Sequence, residues 1–272
     1  MGQQEHRVLM VYAHPDDETF GAGGTTAALS ERGVAVHILL ATRGQAGSIA
    51  DPELDTPANR AHLGPLREAE ARAAAATLGA AGIAFLDHLD GALDTVDRAQ
   101  LVREVAAEVR RVRPDVVVTF GPEGVYGHPD HVAVHHATAG AFSLAAEPAV
   151  AVDGLGPHAA GRLFYQVIRA ELAATINEWR GPVVLDGREH PFVGYADDVI
   201  TTRVDISAVV ERKLAALACH RTQTAGRMDE IRERLLQPPH VEHFILAASR
   251  LPAAEGLAHD LLAGLEGRDS GA

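Results

Sequence analysis

Residues 8–33 read VLMVYAHPDDETFGAGGTTAALSERG, and the order of residue types in this stretch decides the fold. Residues 8–13 are an apolar run without alternation, the pattern of a strand buried on both faces. The run ends in a polar cluster at 14–18, and the small residues that follow read as a helix closed by Gly33. The pattern then repeats. Residues 34–41, 83–86, 116–120 (VVVTF) and 163–168 read as strands; 66–78 and 98–112 read as helices, the second stopped ahead of Pro114. Aliphatic strands alternating with helices predict an α/β fold, a Rossmann-like three-layer sandwich with a mostly parallel sheet. Residues 1–165 are expected to form a Rossmann-like metal-binding core, and 166–272 a smaller C-terminal lobe completing the pocket within one structural unit. In that lobe helices are expected at 207–220 and 228–236, then a final Ala/Leu helix, with the GRDSGA end frayed. The polar, Pro-containing stretch 43–64 has no periodicity and reads as well as a binding lid as it does as a mobile insertion.

Composition narrows the function classes. The chain has 272 residues, a formal net charge of −13 and no run of Lys and Arg, so it lacks the electrostatic basis for gripping phosphate backbones; nucleic acid is excluded as a partner. Cys219 is the only cysteine, which rules out an intrachain disulfide and points to a reducing compartment. The apolar run at 8–13 is too short for a signal peptide, and His6 stands where a myristoylation signal needs Ser or Thr. No apolar run approaches the ~20 residues of a membrane span. The expected location is cytoplasmic.

Two constellations carry chemistry. His14-Pro15-Asp16-Asp17-Glu18 follows the first strand, and Tyr126-Gly127-His128-Pro129-Asp130-His131 follows the VVVTF strand. Ligands of open α/β sheets bind at the carboxyl ends of the strands. Loops from two such ends can face one crevice, and together these offer three histidines and three aspartates. That is more than the three protein ligands of a catalytic zinc, and a surplus is what catalysis would use. Either motif alone could cap a helix; related His-Pro-Asp cores at two separate strand ends are hard to explain as caps. Gly21-Ala22-Gly23-Gly24 is not a dinucleotide fingerprint, because position 26 is Thr26 and no acidic residue lies at 39–43 to hold a ribose. Cys219 and His220 are adjacent on a helix and point about 100° apart, so they form no dyad.

AHPDDE at 13–18 with GHPDH at 127–131 resembles the LmbE-like, PIG-L superfamily of zinc-dependent de-N-acetylases. Weaker agreement extends through Thr42 and Gly44, Arg67-Glu68, and the segment from Lys213 to Gln223. The resemblance implies Zn2+ held by His14, Asp17 and His131, with Asp16 as general base. It further implies His128 as oxyanion stabiliser or proton donor, Asp130 as the group orienting a neighbouring histidine, and Tyr126 as a mobile group closing on the substrate carbonyl. Arg67, Asp90 and His220 are implied as substrate contacts. The chain departs from the family at Gln45, commonly Glu, and at 86–91, which leaves the aglycone open. The expectation is a zinc-dependent hydrolase removing an N-acetyl group from an amino sugar or related small amide. The alternatives are an amidase acting on a larger thiol or sugar conjugate, and a metal-dependent sugar-binding protein without turnover. A homo-oligomer is a family-level expectation.

Overall fold

The computed structural model describes residues 6–185, 187–252 and 256–265. The first part runs β1 (Arg7–Tyr12), α1 (Asp17–Glu31), β2 (Ala35–Thr42), α2 (Pro57–Ala61), α3 (Leu63–Leu78), β3 (Gly82–His88), α4 (Arg98–Val112), β4 (Val116–Phe120), α5 (Gly124–Gly127), α6 (Pro129–Leu144) and β5 (Arg162–Arg169). Then follow α7 (Ala170–Arg180), β6 (Val183–Leu185), β7 (Arg188–His190), β8 (Gly194–Tyr195), β9 (Thr202–Asp205), α8 (Val210–Cys219), α9 (Arg221–Thr224), α10 (Met228–Leu235) and β10 (Val241–Ser249).

The sheet order is β3-β2-β1-β4-β5-β10-β9. β3 through β5 are parallel, and β10 lies antiparallel between β5 and β9. Helices α1, α3 and α8 pack together, as do α4 and α6, giving the predicted α/β sandwich. Each of Val8, Leu9, Met10, Val11 and Tyr12 is at most 1 % exposed, which explains the unbroken apolar run: a central parallel strand has no wet face. After β3 the chain crosses back to the other side of β1, so β1 and β4 flank the point where strand order reverses. Both His-Pro-Asp loops leave the sheet there, in the crevice where such folds place ligands.

Helix α1 is broken at Ala22 (φ −133°, ψ 24°), and both sides of the break are satisfied by the C-terminal part of the chain. The Glu242 carboxylate accepts from Gly24 N (2.9 Å) and Thr25 N (2.7 Å). Lys213 Nζ donates to the freed carbonyl of Phe20 (2.9 Å) and to Glu242 (2.6 Å). A helix interrupted without such partners would leave buried donors and acceptors unpaired. Gly24 is required by proximity: a Cβ there would lie 2.6 Å from Ile206 Cδ1.

Two expectations are corrected. The final Ala/Leu helix is not found among the described residues: residues 241–249 are strand β10, because pairing on both sides with β5 and β9 outweighs a composition that favours helix. Residues 256–265 form bends and turns, and GRDSGA lies outside the described residues. Helix α7 and strand β9 were not read from the sequence. The 43–64 stretch is fastened rather than free: Ala50 N donates to Thr222 O (2.6 Å), Gln223 Nε2 to Ser48 O (2.8 Å), and Arg221 pairs with Asp51 (2.6 Å). Within it, Thr56 caps α2 by accepting from Asn59 N. No helix of the described residues is long and apolar enough to cross a membrane.

Candidate active site

At the end of β1 the chain turns sharply, and Asp16 sits at φ +110°. Such a conformation in a non-glycine residue costs on the order of 1–3 kcal/mol and persists only where its surroundings impose it. They do so here. Arg67, 4 % exposed, donates to Pro15 O (2.5 Å) and Gly44 O (2.8 Å) and lies 3.4 Å from the Asp16 carboxylate. Glu18 accepts from Asp16 N (2.9 Å) and binds His220 Nε2 (2.9 Å), which also meets Thr19 Oγ1 (3.1 Å). Asp17 accepts from His14 N (2.8 Å). The helix-cap reading fails for this motif: Asp16 makes no side-chain capping bond.

The second loop leaves β4 through Gly124, Val125 and Gly127, all at positive φ. Gly124 cannot be replaced without movement, since a Cβ would lie 2.7 Å from His131 Cβ. That close approach brings Gly124 O within 3.1 Å of His131 Nδ1, which donates to it. His128 does cap α6, its Nδ1 accepting from Asp130 N (3.1 Å). An amide can only donate, so the neutral imidazole carries its proton on Nε2.

Three donor atoms converge between the loops. His14 Nδ1 is 3.3 Å from Asp17 Oδ2 and 3.3 Å from His131 Nε2, and the last two are 3.4 Å apart. Zinc ligands at about 2.0–2.2 Å in tetrahedral array are separated by about 3.3–3.6 Å, so the triangle fits one face of a zinc coordination shell. Each histidine donates its other ring nitrogen elsewhere, His131 to Gly124 O and His14 to Asp130 Oδ2 (3.1 Å), as metal-binding histidines do. Asp130 is fully buried and also accepts from Gly91 N (2.7 Å) and Leu93 N (3.0 Å). A second grouping of His14, His128 and Asp130 also converges, but there His14 Nε2, Asp130 and His128 Nδ1 are already bonded to one another or to backbone.

The electrostatics match a cation site. Burial lowers the His14 pKa, and Asp130, Asp17 and Asp90 more than offset it, so the net is well above the usual value. Asp17 is held well below the carboxylate range, burial being overcome by His131 and His14. Asp16, with a side chain 20 % exposed, is pushed up to about 6 by burial and Asp17 against the pull of Arg67. Burial and the neighbouring His131 and His14 hold His128 down at about 4. The Tyr126 phenol is raised by burial and by Asp17 and Asp16; its ring lies 5.4 Å from that of His131 and 5.3 Å from that of Phe192.

His14, Asp16, Asp17, Tyr126, His128, Asp130 and His131 are thus brought together. The three expected substrate contacts are bonded within the protein. Arg67 and His220 are buried and bonded to protein groups beneath the first loop, and Asp90 binds His14 Nε2 (3.0 Å) and Ala46 N (2.8 Å). Glu18 was missed as a support, although its place in the quoted motif marks it.

A family profile for GlcNAc-PI de-N-acetylases, PIG-L, matches residues 9–142. A 1D-myo-inositol 2-acetamido-2-deoxy-alpha-D-glucopyranoside deacetylase of Rhodococcus erythropolis is 35 % identical, over 95 % of this chain and 97 % of its own. The chain belongs to the PIG-L family. Among solved structures, a conserved protein of Thermus thermophilus superposes with a TM-score of 0.64 at 27 % identity, covering 91 % of this chain and 95 % of that one. The N,N'-diacetylchitobiose deacetylase of Pyrococcus horikoshii shares the fold, with a TM-score of 0.66 at 23 % identity, covering 89 % of this chain and 84 % of that one. The chain is therefore a PIG-L deacetylase, and both His-Pro-Asp loops lie within the matched segment.

Proposed function

We propose that this deacetylase hydrolyses the acetamido group of an N-acetylated amino sugar, with zinc held by His14, Asp17 and His131. The observation that carries the reading is the triangle of donors 3.3–3.4 Å apart beside a carboxylate, Asp16, that is not part of it. A bound zinc would supply a water of lowered pKa and polarise the amide carbonyl. Asp16, one residue from the ligand Asp17 and partly open, takes the proton of the attacking water. His128 Nε2–H and the Tyr126 hydroxyl, both kept protonated, donate to the oxygen on which negative charge develops, each worth about 3–4 kcal/mol if well aimed. Asp16 or His128 then hands a proton to the departing amine. Asp130 and Asp90 hold the His14 ring with Nδ1 directed into the triangle. Residues 166–272 contribute the rim, through Phe192 against Tyr126. The relatives' named substrates, glycosides of 2-acetamido-2-deoxyglucose, support an amino-sugar substrate here.

The test is a pair of variants. Asp16→Ala should retain zinc by elemental analysis and lose acetate release by at least about 10²-fold, whereas Asp17→Ala should lose the metal. Loss of zinc from Asp16→Ala, with activity per bound zinc preserved, would overturn the division between ligand and base.

A further inference from the structure

Tyr126 sits in a turn that its own residues do not favour. Val125 before it holds φ +70°, ψ −49°, where a β-branched side chain is a genuine outlier. Such a conformation persists only where surrounding groups impose it. Within the turn Gly124 N donates to Gly121 O (3.0 Å) and Gly127 N to Glu123 O (2.7 Å), and neither bond engages Val125 or Tyr126. Further contacts come from residues 190–195, which meet residues 123–127 in reversed order, as in an antiparallel pairing. A Cβ on Gly127 would lie 3.2 Å from His190 Nδ1. The Phe192 and Tyr126 ring centroids are 5.3 Å apart, Val193 N donates to Val125 O (2.8 Å), and the Tyr195 hydroxyl donates to the Glu123 carboxylate.

The 190–195 segment is itself anchored away from the turn. Asn177 of α7 holds Phe192 by two bonds, Phe192 N to Oδ1 (2.7 Å) and Nδ2 to Phe192 O (2.9 Å). Strand β8 pairs with β5, Gly194 opposite Ile168 and Tyr195 opposite Arg169. Gly194 lies so close to α7 that a Cβ there would be 2.5 Å from Ala170 Cα. A segment fastened to the sheet and to α7 can hold a strained turn in place, and a group displaced by about 1 Å from its working position can cost about 10²-fold in rate.

We propose that Phe192 and Tyr195 are positioning residues for Tyr126: by clamping residues 123–127 they keep the Tyr126 hydroxyl aimed at the acetamido oxygen. This role rests on the reading of Tyr126 as a hydrogen-bond donor in amino-sugar deacetylation. It adds that the C-terminal part of the chain sets the rate of turnover through Tyr126.

The experiment follows the zinc-loaded full chain by acetate release from the methyl glycoside of N-acetylglucosamine, giving kcat and KM, and by amide hydrogen exchange over residues 123–127 read by mass spectrometry. Phe192→Ala should lower kcat by about tenfold or more with KM held within about threefold, and should speed the exchange by about tenfold. Tyr195→Phe, which removes one hydroxyl and keeps the ring, should move both readouts the same way to a smaller extent. Phe192→Tyr keeps the ring contact and should stay within about threefold of wild type in kcat. On a Tyr126→Phe background, Phe192→Ala should cost no more than about a further twofold, because its effect runs through the hydroxyl already removed. Val184→Ala, at a β6 residue 62 % exposed, should leave both readouts unchanged. Wild-type kcat in Phe192→Ala, a loss repeated in full on the Tyr126→Phe background, or unchanged exchange in Phe192→Ala would overturn the role. If the wild type released no acetate, the amino-sugar reading would fail instead; if Tyr126→Phe kept wild-type kcat, the donor role of Tyr126 would fail. In either case exchange in Phe192→Ala decides the clamp alone, faster exchange supporting it and equal exchange refuting it.

Discussion

Asp130 and His128 show how much of the chemistry rests on single side chains. Asp130 spends one carboxylate oxygen on Leu93 N and shares the other between Gly91 N and His14 Nε2, so it fixes both a turn and the tautomer of the proposed metal ligand His14. Asp130→Asn should weaken zinc binding by about 10–100-fold, measured by chelator competition; unchanged affinity would show that Asp90 alone suffices to orient His14. His128 caps α6 with Nδ1 and keeps its proton on the nitrogen that faces the site. His128→Ala should lower kcat by about 10²–10³-fold with zinc retained, seen by steady-state kinetics beside metal analysis. The motif spacing made these residues visible in the sequence. Their roles were not all visible: Arg67 and His220 carry the same polar groups as a substrate contact would, and only burial and bonding partners show that they brace the loop.

Helix α1 and strand β10 are coupled as elements. The break at Ala22 exposes polar backbone inside the protein, and Glu242 and Lys213, with side chains 5–6 % exposed, cover both ends of it. Removing one partner of a buried pair leaves the other charge uncompensated, so Glu242→Ala should destabilise the fold by about 3–5 kcal/mol. Glu242→Leu with Lys213→Met should cost clearly less than that single change. Urea unfolding of the three proteins measures both; a double variant no more stable than the single would refute the account. Neither the break nor β10 could be read from residues 17–31 or 241–249 alone, because the break is satisfied by Glu242 and Lys213 and β10 by its pairing with β5 and β9.

For the molecule as a whole, stability should depend on pH through buried histidines outside the proposed ligand triangle. His135 and His158 are held below the usual value chiefly by burial, although each ring meets a backbone carbonyl, Phe120 O and Pro114 O. Below an unfolded pKa near 6.5 the unfolded chain binds protons that the folded chain resists, so stability falls with acidification and levels off beneath the folded values. His220 has the opposite sign. Burial opposes its charge, Glu18 prevails, and its pKa is raised, so its contribution is full below about 6.5 and is lost as pH climbs through the raised value. Urea midpoints between about pH 5 and 9 should show His158→Gln flattening the acid limb and His220→Gln flattening the alkaline one. A profile the same in both variants as in wild type would contradict this.

The sequence by itself determined the parallel core, the two strand ends that meet, and the seven polar residues gathered there. These follow from local periodicity and from motif spacing, which topology then brings together at the strand-order reversal. Only the tertiary structure showed that Asp90, Arg67 and His220 are bonded to groups of the two site loops, and that residues 241–249 are a strand. Such outcomes depend on which groups are buried together, and a buried polar group takes its role from the partner it finds.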